Sequence, residues 1–207
     1  MRFHTTALLL GWGAVIIGVV GVWAQHRRAS QIGVEGVSLA TWVLFVYMGV
    51  FWITYGAVSA HSWEVILGSL IAFPIQVAIV VRLRPWREWR VLTLAFGFFL
   101  VTCLIPTMLW GWAAGVYGIG VTMTLTRTPQ IIELIRQQDA AGVSVNSWLL
   151  GAAGSGMWVI YYGGVHLWAP LIATGFAGLA STTIALLGAW RHAQARDKAL
   201  ASEAYVI

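Results

Sequence analysis

The chain has 207 residues, of which 59% are hydrophobic and only 9% charged, and 13 of them are tryptophan. A soluble domain carries about a quarter charged residues, so this composition and a mean hydropathy of +0.81 exclude an ordinary globular protein and point to a bilayer. The formal charge of +5 would suit nucleic acid, but the basic residues fall in short stretches between apolar runs, as cytoplasmic loops do in membrane proteins. A single cysteine leaves no disulfide framework.

In chain order, the first apolar run is about Thr5–Ala24, long enough to cross roughly 30 Å of hydrocarbon. Val22-Trp23-Ala24 would pass as a signal-cleavage site, but the run exceeds a usual signal core and His26-Arg27-Arg28 follows directly, so a retained helix is expected. Ser38–Ala60 and Trp63–Val81 come next, with a turn marked by His61, Ser62 and Glu64. Pro74, inside the second, reads equally as a packing kink or a flexing point. The stretch Arg82–Arg90 interleaves basic and aromatic residues. Between two spans it reads as an interfacial anchor, with Trp at headgroup level, rather than a nucleic-acid patch. Val91–Leu109, Trp110–Thr126, Val145–Gly164 and Leu167–Trp190 complete seven expected spans, followed by a polar, solvated tail from Arg191 to Ile207.

The chain also repeats itself. Gly36-Val37-Ser38 matches Gly142-Val143-Ser144, and Trp42, Trp52 and Tyr55 match Trp148, Trp158 and Tyr161, all at an offset of 106 positions. Gln25 matches Gln130 if one residue is lost from the first turn. An ordered series of identities at fixed spacing marks an internal duplication, and duplicated halves of a membrane chain usually place the substrate path at their interface. The expected fold is therefore all-α and integral to the membrane, with seven transmembrane helices as two parallel three-helix repeats joined by a linker helix (3+1+3). Residues 1–90 form the first repeat, 91–109 the linker, 110–190 the second repeat and 191–207 a cytoplasmic tail. With the N-terminus outside, the inside segments 25–37, 82–90, 127–144 and 191–207 hold every Lys and Arg except Arg2, as the positive-inside rule requires.

Arg127–Gly163, with Pro129-Gln130 before a turn and Gly142-Val143-Ser144 opening the next helix, resembles the PQ-loop family. The three-one-three arrangement is similar to the SWEET transporters, whose half-size SemiSWEET relatives pair two such units. The resemblance covers nearly the whole chain and implies two bundles around a central pathway that opens alternately to each side, with no cofactor and no chemistry on the substrate. It implies a hinge at Pro129 and Gln130, where the proline removes a helix hydrogen bond. The first repeat has Ala24-Gln25 instead, so hinge motion is expected to be asymmetric. It also implies that Trp52 and Trp158 line the substrate cavity, with interhelical packing as the alternative reading. Sugar-carrying relatives place an asparagine where this chain has Gly68-Ser69 and Thr174-Gly175. Ser69, Thr174 and Gln76 are the polar candidates for the pathway, with helix–helix hydrogen bonding as the alternative for each.

The expected spans contain no central Asp, Glu, Lys or Arg, which argues for passive movement of a neutral solute; Glu64 and His61 are expected to face water at the outer turn. Gly154-Ser155-Gly156 resembles a hydrolase nucleophile only in spelling, since the nearest histidine, His166, lies at the outer boundary. No His or Cys pairing offers a metal site, and Cys103 reads as a small hydrophobe. The expected activity is that of a facilitator for a small neutral polar solute, sugar or sugar-like, and not of an enzyme. A passive or proton-coupled transporter of neutral amino acids is one alternative. A non-transporting receptor or assembly factor of the same fold, similar to the KDEL-type retention receptors, is another. The expected partners are the solute and the lipid bilayer, not nucleic acid, and a homo-oligomer is compatible with this reading. A short chain without a eukaryotic targeting signal fits a bacterial inner membrane.

Overall fold

The computed structural model describes residues 2–61, 63–137, 140–164 and 168–204, and every regular element among them is helical. Helix α1 runs Arg2–Gln31 without a break. It ends where Gly33 (φ 136°) and Gly36 (φ 76°) adopt left-handed backbone, a conformation that costs glycine nothing sterically. Ser38 then caps α2 (Leu39–Tyr55) by accepting from the Thr41 N–H. A π turn at Gly56–Ala60 extends α2, and α3 spans Trp63–Arg82 with Pro74 inside it.

A 3-10 turn, Pro85–Arg87, leads into α4 (Trp89–Phe99), which continues through a π segment (Leu100–Leu104) into α5 (Ile105–Trp110). Helices α6 (Trp112–Leu125) and α7 (Thr128–Arg136) come next, followed by α8 (Val145–Gly164) and α9 (Trp168–Ala204). Here the two repeats part. The single helix α1 corresponds to a broken pair, because Pro129 has no N–H to offer the Leu125 carbonyl.

Among the described residues, four segments are long and apolar enough to cross a membrane: Leu9–Gln31, Leu39–Ser59, Trp63–Arg82 and Trp89–Trp110. Helix α8 has 20 residues, the length of a span, but its glycines and serines dilute its apolar character. Large apolar side chains such as Leu94, Met108, Leu179 and Leu186 are exposed on the flanks, as befits a surface that meets lipid.

Packing follows the same order in both halves. Helix α3 lies against both α1 and α2, and α9 lies against both α6 and α8. The halves meet chiefly where α1 crosses α8. There Ala14 and Gly21 face Gly154 and Ser147, small residues that let helices approach closely. The α4–α5 helix leans on α2 and α6, and its Thr102 hydroxyl lies 2.8 Å from that of Thr122.

The segment after Trp190 is not a free tail at its start, because α9 continues to Ala204. Arg191 donates to the carbonyls of Leu134 (3.0 Å) and Ile135 (2.8 Å), which the missing partners at the C-terminal end of α7 leave available. His61 closes the π turn in a left-handed conformation. Ser62 and His166 lie outside the described residues.

Candidate functional site

The paired motifs found in the sequence meet in space, but crosswise. Gln25 on α1 donates from Nε2 to the Gly142 carbonyl (2.8 Å) and accepts at Oε1 from the Ser144 N–H (2.8 Å). Gln130 on α7 donates to the Gly36 carbonyl (2.5 Å) and accepts from the Ser38 N–H (2.7 Å). Each glutamine thus grips the Gly-Val-Ser turn of the other repeat with one donor and one acceptor. Both glutamines are fully buried, and an amide side chain can satisfy a carbonyl and an N–H together.

The matched glycines serve different ends. Gly36 needs its positive φ. Gly142 needs the absence of a side chain, since a Cβ there would lie 2.5 Å from the Gly33 carbonyl oxygen. The Gly142 N–H also donates to the Glu35 carbonyl (3.1 Å), and Arg28 Nε donates to the Ala141 carbonyl (2.7 Å). Beside this clasp Arg28 near the end of α1 lies 3.4 Å from His192 of α9, and Arg191 of α9 reaches the end of α7, so basic residues of several helices gather at this end of the bundle.

Above the clasp lies a cavity of two adjoining chambers, of about 260 and 280 Å³, near the lower end of small-ligand sites. Its walls come from α1, α2, α3, α6, α8 and α9, so both repeats contribute. The structure brings Trp52, Trp158, Ser69, Gln76 and Thr174 together on the first chamber. Trp52 packs edge-on against Tyr55, and Trp158 stacks on Tyr162. The hinge candidates Gln25, Pro129 and Gln130 do not line it; the two glutamines sit in the clasp.

Glu64, at the start of α3, is half-buried and lines the first chamber. One expectation changes here. Arg127, expected in a cytoplasmic segment, is 9% exposed and lines both chambers, so the interior is not free of charge. Its Nε donates to Ser181 Oγ (2.8 Å) and its Nη1 to the Met123 carbonyl (2.6 Å). The guanidinium lies 5.5 Å from the centre of the Phe45 ring, within cation–π range.

A signal for this placement existed in the sequence. The glutamine pairing sets Arg127 against Val22, a residue of the first apolar run, and Val22 also lines both chambers. Trp42 carries a second signal that could only be read in space. It is 2% exposed, lines the second chamber, and its indole N–H has no hydrogen-bond partner among the described residues.

The chain matches no protein-family model, no curated protein and no solved structure.

Proposed function

We propose that this chain is a membrane transporter of the PQ-loop, SWEET-like kind. In this reading seven spans (α1, α2, α3, α4–α5, α6–α7, α8 and α9) form two parallel three-helix repeats and a linker. They move a small polar solute by exposing one cavity to each side in turn. The observation that carries the reading is the reciprocal glutamine clasp beneath a cavity walled by both repeats. A duplicated bundle with its cavity between the halves is the architecture that alternating access uses, and side-chain hydrogen bonds to turns can be made and broken as the halves rock. The gathering of basic segments at the clasped end supports a cytoplasmic placement of that end, with the N-terminus outside and a bacterial inner membrane as the setting.

Trp52 and Trp158 offer flat apolar faces, and Ser69, Gln76 and Thr174 offer polar groups, so a sugar or sugar-like solute is the leading substrate class. Neutrality of that solute rested on an uncharged interior, and Arg127 removes that ground. The same arginine favours a second reading, a receptor of this fold that holds a charged ligand without moving it.

Counterflow in proteoliposomes tests the proposal, with labelled hexoses, disaccharides, hydroxy acids and amino acids, with and without a pH gradient. Exchange without a gradient is expected. Trp52→Ala and Trp158→Ala should weaken a ring-shaped solute by about 2–12-fold, the equivalent of about 0.5–1.5 kcal/mol for an aromatic contact. Unchanged affinity in both variants would make these rings packing residues. Binding without exchange would select the receptor.

A further inference from the structure

Arg127 is the feature that neither the repeat nor the clasp explains. Burying a guanidinium is costly unless an opposite charge compensates it, and an ionisable group inside a membrane bundle marks a functional site by default. Its two protein hydrogen bonds go to neutral acceptors, Ser181 Oγ and the Met123 carbonyl. Its Nη2 group makes no hydrogen bond among the described residues, and no carboxylate pairs with it there.

Glu64, the acidic residue that lines the first chamber, cannot serve as that partner. It lies three turns up α3 from Gln76, about 18 Å along the helix axis, whereas Gln76 shares both chambers with Arg127. Nor does the fold require a cation at this position. Val22, the matching residue of the first repeat, lines the same chambers with an apolar side chain.

We propose that the cavity takes a small hydroxylated organic anion, whose carboxylate or phosphate is held by the free face of Arg127. This rests on the reading of the cavity as the solute site and narrows it to a charge class. Two further groups fit such a ligand. The Trp42 indole N–H is a buried donor without a partner among the described residues. It is linked to the guanidinium through Phe45, whose ring packs edge-on to Trp42 at 5.3 Å and lies under Arg127. Gln76, which lines both chambers, has a buried Oε1 beside Gly49 that finds no partner among the described residues. A cation for the anionic group, with Ser69, Gln76 and Thr174 on the same chamber for hydroxyls, describes a sugar acid, a hydroxycarboxylate or a sugar phosphate better than a neutral sugar. A single amino acid is too short to bridge Arg127 and Glu64, so a zwitterion would leave its ammonium unpaired.

The test measures binding to purified protein by tryptophan quenching and thermal shift at constant pH, and exchange in proteoliposomes. The probes are matched pairs: gluconate with sorbitol, glucuronate with glucose, glycerate with glycerol, and glucose 6-phosphate with glucose. At least one acid is expected to bind wild-type protein about tenfold or more tighter than its neutral partner, the scale of one charge-assisted contact. Carboxylates and phosphates are separate arms that tell the two anionic groups apart. Arg127→Gln should erase that preference, Arg127→Lys should keep part of it, and Glu64→Gln should leave it in place.

Neutral partners that bind as tightly as the acids, a preference that survives in Arg127→Gln, or no binding by any acid would overturn the proposal. The wild-type comparison stands even if Arg127→Gln fails to fold. Arginine-dependent acid binding without exchange would refute transport and leave the anion site intact. Exchange of neutral sugars alone would do the reverse.

Discussion

The clasp makes a quantitative claim about the closed end. Gln130→Ala removes one bond to the Gly36 carbonyl and one to the Ser38 N–H. Each contributes about 0.5–1.5 kcal/mol net, and both are lost if the two turns separate. If they exist only while the end is closed, the variant shifts the closed–open balance by about 1–3 kcal/mol, or about 5–150-fold in the open population. Stranding Gly36 O and Ser38 N without partners adds to the shift, because water reaches them only when the end opens.

Ser147 reports on this. It is buried, lines the second chamber and sits in the first turn of α8, just beyond the clasp. In a Ser147→Cys background, reaction with a water-soluble maleimide should accelerate by that factor when Gln130→Ala is added. Protein without the new cysteine gives the background from Cys103, which is fully buried among Phe51, Phe99 and Ile119. Gln25→Ala should act to a similar extent, since its bonds to Gly142 and Ser144 mirror those of Gln130. Labelling of folded protein that neither variant changes would refute the clasp as the element holding the end shut.

Two other substitutions probe the scaffold. A Cβ at Gly118 would fall 1.5 Å from the Thr102 carbonyl oxygen, so Gly118→Ala must push the linker helix off α6. It should destabilise by about 1–3 kcal/mol or more and lower the thermal midpoint in detergent. Gly97→Ala, with nothing within 4 Å, should raise the midpoint slightly; equal effects of the two would mean that α6 and the linker do not pack this closely. Pro129→Ala restores the N–H that the Leu125 carbonyl lacks and favours a continuous α6–α7 helix. It should slow exchange more than it alters thermal stability, and wild-type exchange rates in a well-folded variant would remove Pro129 as a flexing point.

Most helices were legible because their signals are local. Apolar runs bounded by His26-Arg27-Arg28, His61 or Arg82–Arg90 lie close to where α1, α2 and α3 turn or end. The duplication was legible because Gly-Val-Ser and the tryptophans keep their spacing. That the glutamines reach across to the opposite repeat was not, since alignment shows which residues correspond and not which ones touch. Arg127 was misplaced for a related reason. Positive charge beyond an apolar run usually means a loop, and only the bend before Pro129, with Ser181 and Phe45 as neighbours, turns this one inward. The tail is solvent-exposed over residues 195–200, but its start is held because Arg191 and His192 find carbonyl partners at Leu134, Ile135 and Ala140, which a polar stretch by itself does not announce.

The asymmetry between the repeats lies in the cavity and not in the clasp. Each copy supplies one glutamine and one Gly-Val-Ser turn to the clasp, so there the two are alike. The cavity positions differ. Val22 and Arg127 occupy matching places on the same walls, yet one is apolar and the other cationic. Phe45, which covers the guanidinium, corresponds to Gly151 on the second chamber, so the room taken by one bulky pair is given back on the opposite side. Proline follows the same division, with Pro129 two residues beyond Arg127 where the second repeat's helix is interrupted, while α1 runs on through Ala24. Charge and helix break therefore share one bundle, with Arg127 in the interruption between α6 and α7 and Gln130 three residues further. If a ligand binds Arg127, binding and opening of the clasp should be linked, and Arg127→Gln should then remove any effect of an acidic ligand on Ser147→Cys labelling.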